Sequence, residues 1–369
     1  MQKHLALLLV CLVLAAFMPA PRPSQTPNQA VDAFIAQQMK ALGIPGLAIA
    51  VVKNGQRVKL GTYGLANKEW GLPVTAATTF QIASCTKLLT STLILKTIYA
   101  GKLRLEDPVS QYLDSIPASW QAMRIKHLLT HSSGLREFRG DLYASTATVV
   151  RALKDSTLEY PPGTSQHYAQ ADFMLAGYIL EKIYGKPFPQ ILREQVTQPL
   201  HMADGAFDME WRVGAFLRTN LIPHKVTTYY DLDGQLRAYK YLYPQYTYTA
   251  GGYFASIEDM ANWAIGLDKE VLFPTAFAEP LLYGRDSVAH KPAEFTSAGW
   301  ALPEEKTPIL YAGHSGGPGL GDVWRFPKEG YTVVVLSNDG ELLPGLARAI
   351  AAFYIPTLTK QVPIRKFER

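Results

Sequence analysis

A serine and a lysine three positions apart are the residues of this sequence best suited to chemistry. Ser84 and Lys87 stand in the stretch 80–87, Phe-Gln-Ile-Ala-Ser-Cys-Thr-Lys, and an apolar run follows it. Positions i and i+3 share a face of a helix, so the amine of Lys87 can lie beside the hydroxyl of Ser84. A base that takes the hydroxyl proton makes serine a nucleophile. The spacing predicts such a pair at the start of a largely buried helix.

Tyr168 is a second candidate, because it leads from the turn-forming stretch 161–167 into an apolar run. A tyrosine at the entrance to a helix can reach a neighbouring serine and lysine. In a cationic site its phenol can accept or relay a proton. The same residue could instead be an aromatic side chain packed where a loop meets a helix, and its sequence alone leaves both interpretations open.

A third candidate is the stretch 313–317, Gly-His-Ser-Gly-Gly, at the end of a predicted strand. Glycines let backbone N–H groups approach a reacting carbonyl, and with the N–H of Ser84 one of them would form an oxyanion hole. The imidazole of His314 could bind a carboxylate or transfer a proton. The alternative is a glycine-rich bulge or turn with an incidental histidine.

Two rival motifs can be excluded from the sequence. Residues 313–317 also read Gly-x-Ser-x-Gly, the nucleophile elbow, but that fold needs a histidine after the serine and none follows Ser315. His127 and His131 have the spacing of zinc ligands, but Leu128 stands where the zinc-protease motif has glutamate. We interpret the two histidines as part of a short helix closed by a Ser-Ser-Gly turn. No metal site and no cofactor is predicted.

Composition restricts the function further. The chain has 369 residues, of which 36 are basic and 31 acidic, and the basic residues do not cluster. Nucleic-acid binding is therefore excluded as a function.

Residues 1–20 predict a cleaved signal peptide, followed by a linker at 21–28; an uncleaved anchor is the alternative. We expect a secreted or periplasmic protein with no stable membrane span after cleavage. Cys85 is the only cysteine beyond residue 20, so no intrachain disulfide is expected.

Strand patterns lie near both ends of the chain, with helical patterns between them. Besides the helix at Ser84, the predicted helices are 29–42, 107–113, 125–130, 146–154, 168–184, 188–196, 256–267 and 343–354. The predicted strands are 46–52, 57–64, 309–312, 322–326 and 331–337. The order predicts an α+β fold, in which an antiparallel sheet from both ends is flanked by helices and carries a mostly helical insertion. The domain would span 29–355, with an α/β part at 29–83 and 300–355, a helical part at 84–299, and a tail at 356–369.

In combination these motifs resemble the serine β-lactamase and penicillin-binding-protein superfamily. The closest branch looks like the class C β-lactamases with their D-alanyl-D-alanine carboxypeptidase, esterase and D-aminopeptidase relatives. The resemblance rests on Ser84-x-x-Lys87, on Tyr168 after Pro162-Gly163, and on the stretch 314–316, and it covers 31–354. The stretches 126–135 and 250–259 are also similar to ones common in this branch.

The resemblance implies a role for each matching residue. Ser84 would attack the substrate carbonyl and form an acyl-enzyme, while Lys87 and Tyr168 share its proton and later activate water. The N–H groups of Ser84 and Gly317 would hold the oxyanion. Substrate contacts would come from Gln170, His314, Ser315 and Gly316. The implied substrate is a small molecule or short peptide with an amide, ester or β-lactam bond.

Two positions depart from the family pattern. The family's Tyr-x-Asn is here Tyr168-Ala169-Gln170, and His314 replaces the lysine of Lys-Thr-Gly. Both argue against an efficient penicillin-hydrolysing enzyme and leave amide or ester hydrolysis open. We expect a serine hydrolase; the alternative is a protein of the same fold that binds penicillin or peptidoglycan fragments without turnover.

The segment 227–253 is rich in tyrosine, and Asp233-Gly234 within it predicts a hairpin turn. In the fold that the resemblance implies, this segment borders the cleft. We hypothesise that some of its tyrosines form an aromatic wall for the acyl part of the substrate. A surface hairpin with cross-strand tyrosine pairs is the alternative.

Overall fold

The computed structural model describes residues 25–285, 287–303, 309–317, 319–358 and 364–367. The predicted signal peptide at 1–20 and the first half of the predicted linker at 21–28 lie outside the described residues. The rest of that linker leads directly into the first helix, where the Thr26 hydroxyl accepts from the Gln29 N–H as an N-cap. The helix begins at Pro27, which suits the first turn because it needs no N–H there.

Helices and strands are numbered separately along the chain. The helices are α1 (Pro27–Leu42), α2 (Thr86–Tyr99), α3 (Ile125–Leu129), α4 (Thr146–Lys154), α5 (Gln170–Tyr184), α6 (Phe188–Leu192), α7 (Ile257–Asp268), α8 (Thr275–Tyr283) and α9 (Leu346–Ala351). The strands are β1 (Gly46–Lys53), β2 (Gln56–Asn67), β3 (Leu72–Pro73), β4 (Thr79–Gln81), β5 (Ala206–Phe207), β6 (Glu210–Val213), β7 (Phe216–Thr219), β8 (Thr228–Leu232), β9 (Gln235–Tyr239), β10 (Tyr253–Ser256), β11 (Ser287–Val288), β12 (Lys291–Pro292), β13 (Ala312–Gly316), β14 (Gly321–Phe326) and β15 (Tyr331–Ser337).

The main sheet has six strands in the order β13-β14-β15-β1-β2-β3, and each neighbouring pair is antiparallel. Strand β1 pairs with β15, so the two ends of the chain close into one sheet. Asn54 and Gly55 turn β1 into β2 with φ values of 46° and 73°, as the hairpin signal predicts. The predicted α+β fold, with an antiparallel sheet from both ends and flanking helices, is confirmed.

Strand β1 is buried on both faces, which explains its continuous apolar sequence. Leu47, Ile49 and Val51 belong to a core shared with α1 and α9. The alternating residues Ala48, Ala50 and Val52 join the larger core that contains α2, α5 and α7. Because alanines line this second face, helix α7 packs closely on β1. The sheet is thus the middle layer between two sets of helices.

Several predicted boundaries differ from the observed ones. The predicted helix at 107–113 is only a 3₁₀ turn, Val109–Gln111. The strand predicted at 309–312 lies at Ala312–Gly316, so the Gly-His-Ser-Gly stretch is within a strand. The last helix is shorter than predicted and spans Leu346–Ala351. In strand β13 the low strand propensity of glycine is overridden by pairing with β14.

The region between residues 84 and 299 contains strands that the sequence pattern did not predict. Strands β10 and β5 of this region form a small sheet with β4, which precedes it, and β6–β7 and β11–β12 are hairpins. The hairpin predicted at Asp233-Gly234 is confirmed, because β8 and β9 pair across it. The division of the domain into an α/β part and a helical part stays a prediction.

Within the described ranges, none of the helices combines the length and apolarity needed to cross a membrane. Those ranges also contain no group of three or more histidine, cysteine or acidic side chains placed to hold a metal ion.

Candidate active site

Ser84 lies at the point where strand β4 passes into helix α2. It occupies the middle of a 3₁₀ turn, Ala83–Cys85, and α2 follows at once. Ala83 has a φ of 47°, in the left-handed region that non-glycine residues seldom adopt, and its side chain is buried. Backbone strain of this kind concentrates at functional sites, where the surrounding structure holds it in place.

The predicted serine, lysine and tyrosine meet at one point. Lys87 Nζ lies 3.4 Å from Ser84 Oγ, and the phenol of Tyr168 donates to the same oxygen over 2.9 Å. Tyr168 precedes α5 in an extended segment, and its side chain is 39% exposed, so the phenol stands at the cleft surface. Two proton-transfer groups therefore contact one hydroxyl, which is the arrangement that an activated serine requires.

Lys87 is fully buried, although it carries a titratable amine. Its Nζ donates to the carbonyl oxygen of Ala250 over 2.9 Å and lies 4.8 Å from the ring centre of Tyr168 and 5.5 Å from that of Phe173. No carboxylate among the described residues lies within ion-pair distance of Nζ. A carbonyl, a hydroxyl and two aromatic faces hold the amine in place.

Strand β13 lies directly against the turn that carries Ser84. A Cβ atom on Gly316 would come within 2.2 Å of the carbonyl oxygen of Ile82 and 2.8 Å of the backbone nitrogen of Ser84. Only glycine permits this approach. The close contact brings Gly316, at the end of β13, next to the Ser84 N–H, and Gly317 follows it directly in the chain. The N–H groups of Ser84 and Gly317 are the two groups that the resemblance assigns to the oxyanion hole.

His314 lies on the same side of β13 and is 5% exposed. Burial, followed by the nearby charge of Lys87, lowers the pKa of His314 to about 3. The ring is therefore neutral at neutral pH. Its Nδ1 lies 2.6 Å from the carbonyl oxygen of Ser315, which can only accept, so Nδ1 carries the proton and Nε2 is an acceptor. A neutral acceptor does not suit the carboxylate-binding role considered for this residue.

Ser315 points to the opposite face of the sheet. Its hydroxyl donates to Asp322 over 2.8 Å, and the other oxygen of Asp322 accepts the N–H groups of Gly345 and Ala347 at the start of α9. The side chain of Ser315 thus belongs to the junction of the sheet and α9. The hydroxyl of Ser315 is therefore directed away from the cleft where the substrate contact was predicted.

Gln170 begins helix α5 at the cleft. Its backbone N–H donates to Glu137 Oε1 over 2.5 Å, so Glu137 caps the helix from a distant loop. The described contacts of Lys87 are with Ser84 and Ala250 and do not include the Gln170 amide. Gln170 is therefore brought to the cleft but not to the lysine.

The tyrosine-rich segment is divided between the two interpretations. Tyr243 packs on Gly251, next to the Ala250 carbonyl that holds Lys87, so this ring borders the cleft. Tyr230 and Tyr239 instead form an edge-to-face pair within the β8–β9 hairpin, with ring centres 5.6 Å apart. An aromatic wall at the cleft thus has one well-placed member in Tyr243 and stays a proposal.

The sequence did not reveal the strained Ala83, because alanine is not typical of a positive φ. It also did not reveal Phe173 or Glu137 as neighbours of the site, since both are far from Ser84 in sequence. Cys85, predicted as a small buried hydrophobe, is buried, and its thiol donates to the carbonyl oxygen of His314 over 3.2 Å.

Comparison with known proteins identifies the family. The model of the beta-lactamase family matches residues 31–353, and the chain belongs to that family. The chain is 25% identical over 308 residues to the putative penicillin-binding protein PbpX of Bacillus subtilis, covering 83% of this chain and 73% of the relative. It is 29% identical over 202 residues to a putative D-alanyl-D-alanine carboxypeptidase of Escherichia coli O157:H7, covering 48% of this chain and 46% of the relative.

Solved structures support the fold. The D-amino acid amidase from Ochrobactrum anthropi SV3, in complex with D-phenylalanine, superimposes with a TM-score of 0.74 at 20% sequence identity. The match covers 90% of this chain and 98% of the amidase. The family is one of serine hydrolases whose members are named beta-lactamases, carboxypeptidases and penicillin-binding proteins.

Proposed function

We propose that this protein is an exported serine hydrolase that cleaves an amide or ester bond through an acyl-enzyme on Ser84. The observation that carries the proposal is the convergence of Lys87 Nζ and the Tyr168 phenol on Ser84 Oγ, at 3.4 and 2.9 Å. The residues come from two separate segments of the chain, Ser84 and Lys87 from one and Tyr168 from the other. Structural stability alone gives no reason to bury a lysine amine beside a serine hydroxyl.

The proposed reaction uses only groups of this chain. Ser84 Oγ attacks the substrate carbonyl as its proton passes to Lys87 or Tyr168, the two groups within reach. The group that accepts this proton reacts in its deprotonated form, as the neutral amine of Lys87 or the phenolate of Tyr168. The oxyanion is stabilised by the backbone N–H groups of Ser84 and Gly317. The same proton then passes to the leaving amine or alcohol, and the C–N or C–O bond breaks. Water attacks the acyl-enzyme with the same groups acting as base and acid.

The state of His314 favours one group of substrates. A D-Ala-D-Ala peptide or a penicillin carries a carboxylate, which a fixed cation binds well. His314 is neutral, and its Nε2 is a buried acceptor without a hydrogen-bond partner among the described residues. We therefore expect amides and esters without a carboxylate beside the scissile bond to be better substrates. The name of the D-amino acid amidase suggests one such class, the amides of D-amino acids.

The test is a hydrolysis panel of p-nitrophenyl esters, D-amino-acid amides and nitrocefin, run on the wild type and on Ser84→Ala. We expect turnover by the wild type, and a loss of at least about 10³-fold in Ser84→Ala because the nucleophile is absent. Labelling by a fluorophosphonate probe should be lost in parallel. Labelling or turnover that persists in Ser84→Ala would rule out the assigned nucleophile.

A second candidate is a protein of the same fold that binds penicillin or peptidoglycan fragments without turnover. It is favoured by Gln170, which replaces the family's asparagine and does not contact Lys87. Burst kinetics separate the two candidates. Continued product release after one equivalent supports the hydrolase, and a single equivalent followed by none supports the binding protein.

A further inference from the structure

A buried histidine lies directly behind Tyr168 and has no part in the proposed reaction. His131 is 0% exposed, and its ring centre lies 4.6 Å from that of Tyr168 and 4.6 Å from that of Phe295. The imidazole therefore forms one side of the slot that holds the Tyr168 ring. The ring of Phe295, whose centre is 5.8 Å from that of Tyr168, forms another side.

His131 also holds the backbone on both sides of Tyr168. Its carbonyl oxygen accepts the N–H of His167 over 2.9 Å, and its Nδ1 accepts the N–H of Ala169 over 3.3 Å. One residue thus holds the N–H groups of both chain neighbours of Tyr168 and packs against the ring between them. A change at His131 would move all three together.

His131 is itself held by buried polar groups. Its Nδ1 lies 3.0 Å from Asp172 Oδ2, and the hydroxyl of Ser133 donates to the other oxygen of Asp172. All three side chains are almost inaccessible to solvent, and Asp172 lies in the first turn of α5. His131 has a φ of 53°, a left-handed conformation that is uncommon for histidine and costs backbone free energy.

The protonation states of His131 and Asp172 agree with these contacts. For Nδ1 to accept from the Ala169 N–H, the proton between the imidazole and the carboxyl must lie on Asp172. Burial raises the pKa of Asp172 well above its usual value and lowers the pKa of His131 well below its own. A neutral acid beside a neutral imidazole is thus the favoured form, and no charge is left unpaired in the core.

We propose that His131, held by Asp172 and Ser133, is a positioning residue that keeps the phenol of Tyr168 within hydrogen-bond distance of Ser84 Oγ. The expected effect of His131 on the reaction rate rests on the proposed function, because Tyr168 must take part in catalysis for its placement to matter. A displacement of about 1 Å at a reacting group costs on the order of 100-fold in rate.

A double-mutant cycle tests the proposal. His131→Asn removes the ring behind Tyr168, and asparagine tolerates the left-handed backbone. In the wild-type background we expect kcat to fall about 100-fold with KM little changed. In the Tyr168→Phe background, which has no phenol to position, the same change should have almost no further effect. An equal loss in both backgrounds would mean that His131 only stabilises the fold, and would overturn the proposal.

The carboxyl group of Asp172 gives a second pair of variants in case His131→Asn does not fold. Asparagine at position 172 matches a protonated carboxyl, because it can donate to Nδ1 and accept from Ser133. Asp172→Asn should therefore retain most of the wild-type kcat, whereas Asp172→Ala should lose it in the wild-type background but not in Tyr168→Phe. Equal kcat in the two Asp172 variants contradicts the proposed chain of contacts.

A spectroscopic readout separates this proposal from the proposed function. With 3-fluorotyrosine placed at position 168, the ¹⁹F resonance should shift or broaden in His131→Asn and remain near the wild-type position in Asp172→Asn. If the wild type has no turnover but the resonance responds in this way, the proposed function fails and the positioning role stands. If turnover is normal and the resonance does not move in His131→Asn, the positioning role fails alone.

Discussion

At the scale of single residues, the site depends on a lysine that is buried without a carboxylate partner among the described residues. Lys87 keeps its position through the carbonyl of Ala250 and through aromatic faces, so no acid competes with Ser84 for the amine. A buried carboxylate in contact with Nζ would form an ion pair and draw the amine away from the serine. The neighbouring His314 is neutral for a related reason, since burial and the charge of Lys87 both disfavour its protonation.

Replacing His314 by lysine should change the substrate preference of the protein. His314→Lys adds a cation where the family motif has one, and a charged hydrogen bond contributes about 1.5–3 kcal/mol. We expect the ratio of kcat/KM for nitrocefin to that for p-nitrophenyl acetate to rise about 10–100-fold, because only nitrocefin carries a carboxylate. The neutral variant His314→Gln is the matched control and should leave the ratio nearly unchanged. A similar rise in both variants would show that the charge at position 314 is not the cause.

At the scale of elements, the site depends on the contact between strand β13 and the turn that precedes α2. Gly316 has no room for a side chain, because a Cβ would meet the backbone of Ile82 and Ser84. The neighbouring Ser315 points away from this contact and fixes β13 to α9 through Asp322. Adjacent residues of one strand therefore serve the cleft and the sheet separately, as the alternation of a strand requires.

Two alanine substitutions test this separation. Gly316→Ala should push β13 away from Ser84, and we expect kcat/KM to fall about 100-fold because the oxyanion donors no longer converge. Ser315→Ala, the matched control, should cost about 1 kcal/mol of unfolding free energy through the lost hydrogen bond and leave kcat/KM within a few-fold of the wild type. Kinetics and denaturant unfolding measure both. A large kinetic loss in Ser315→Ala would instead support a direct role for its hydroxyl in substrate binding.

At the scale of the whole molecule, the fold keeps some ionisable side chains, His314 among them, neutral in its core, and its stability should therefore depend on pH. The pKa of His314 is lowered to about 3 in the folded state, against an ordinary value of 6.5. The unfolded chain thus binds a proton in this range that the folded chain does not. The free energy of unfolding therefore falls as the pH drops from 6.5 toward 3. Asp259, with a pKa raised to about 6, contributes in the opposite direction.

Removing His314 should flatten the acid side of the stability profile. One proton taken up on unfolding corresponds to a slope of about 1.4 kcal/mol per pH unit. Between pH 6 and pH 4, His314→Gln should reduce the slope of unfolding free energy against pH by about this amount, and Asp259 affects both proteins equally. Urea unfolding at several pH values measures the slope. An unchanged slope would mean that His314 titrates normally in the folded protein.

The sequence by itself determined much of the local structure and the chemical identity of the site. Runs of apolar and β-branched residues predicted β1 and β15 closely, and a helical pattern predicted α4. Asn54-Gly55 predicted its hairpin, and all these features depend on neighbouring residues. Ser84 and Lys87 were predicted for the same reason, since one helical turn brings them together. Tyr168 and His314 were candidates from their own surroundings, and only the motif resemblance connected them to Ser84, which no local rule does.

Only the tertiary structure decided how distant segments meet. The neutral state of His314, the outward direction of Ser315, the strain at Ala83 and the placement of His131 behind Tyr168 each depend on packing between segments far apart in the chain. Burial and contact distance set protonation and side-chain direction, and neither is encoded in local spacing. For that reason the sequence identified the reacting groups, while the fold determined which charges and hydrogen bonds surround them.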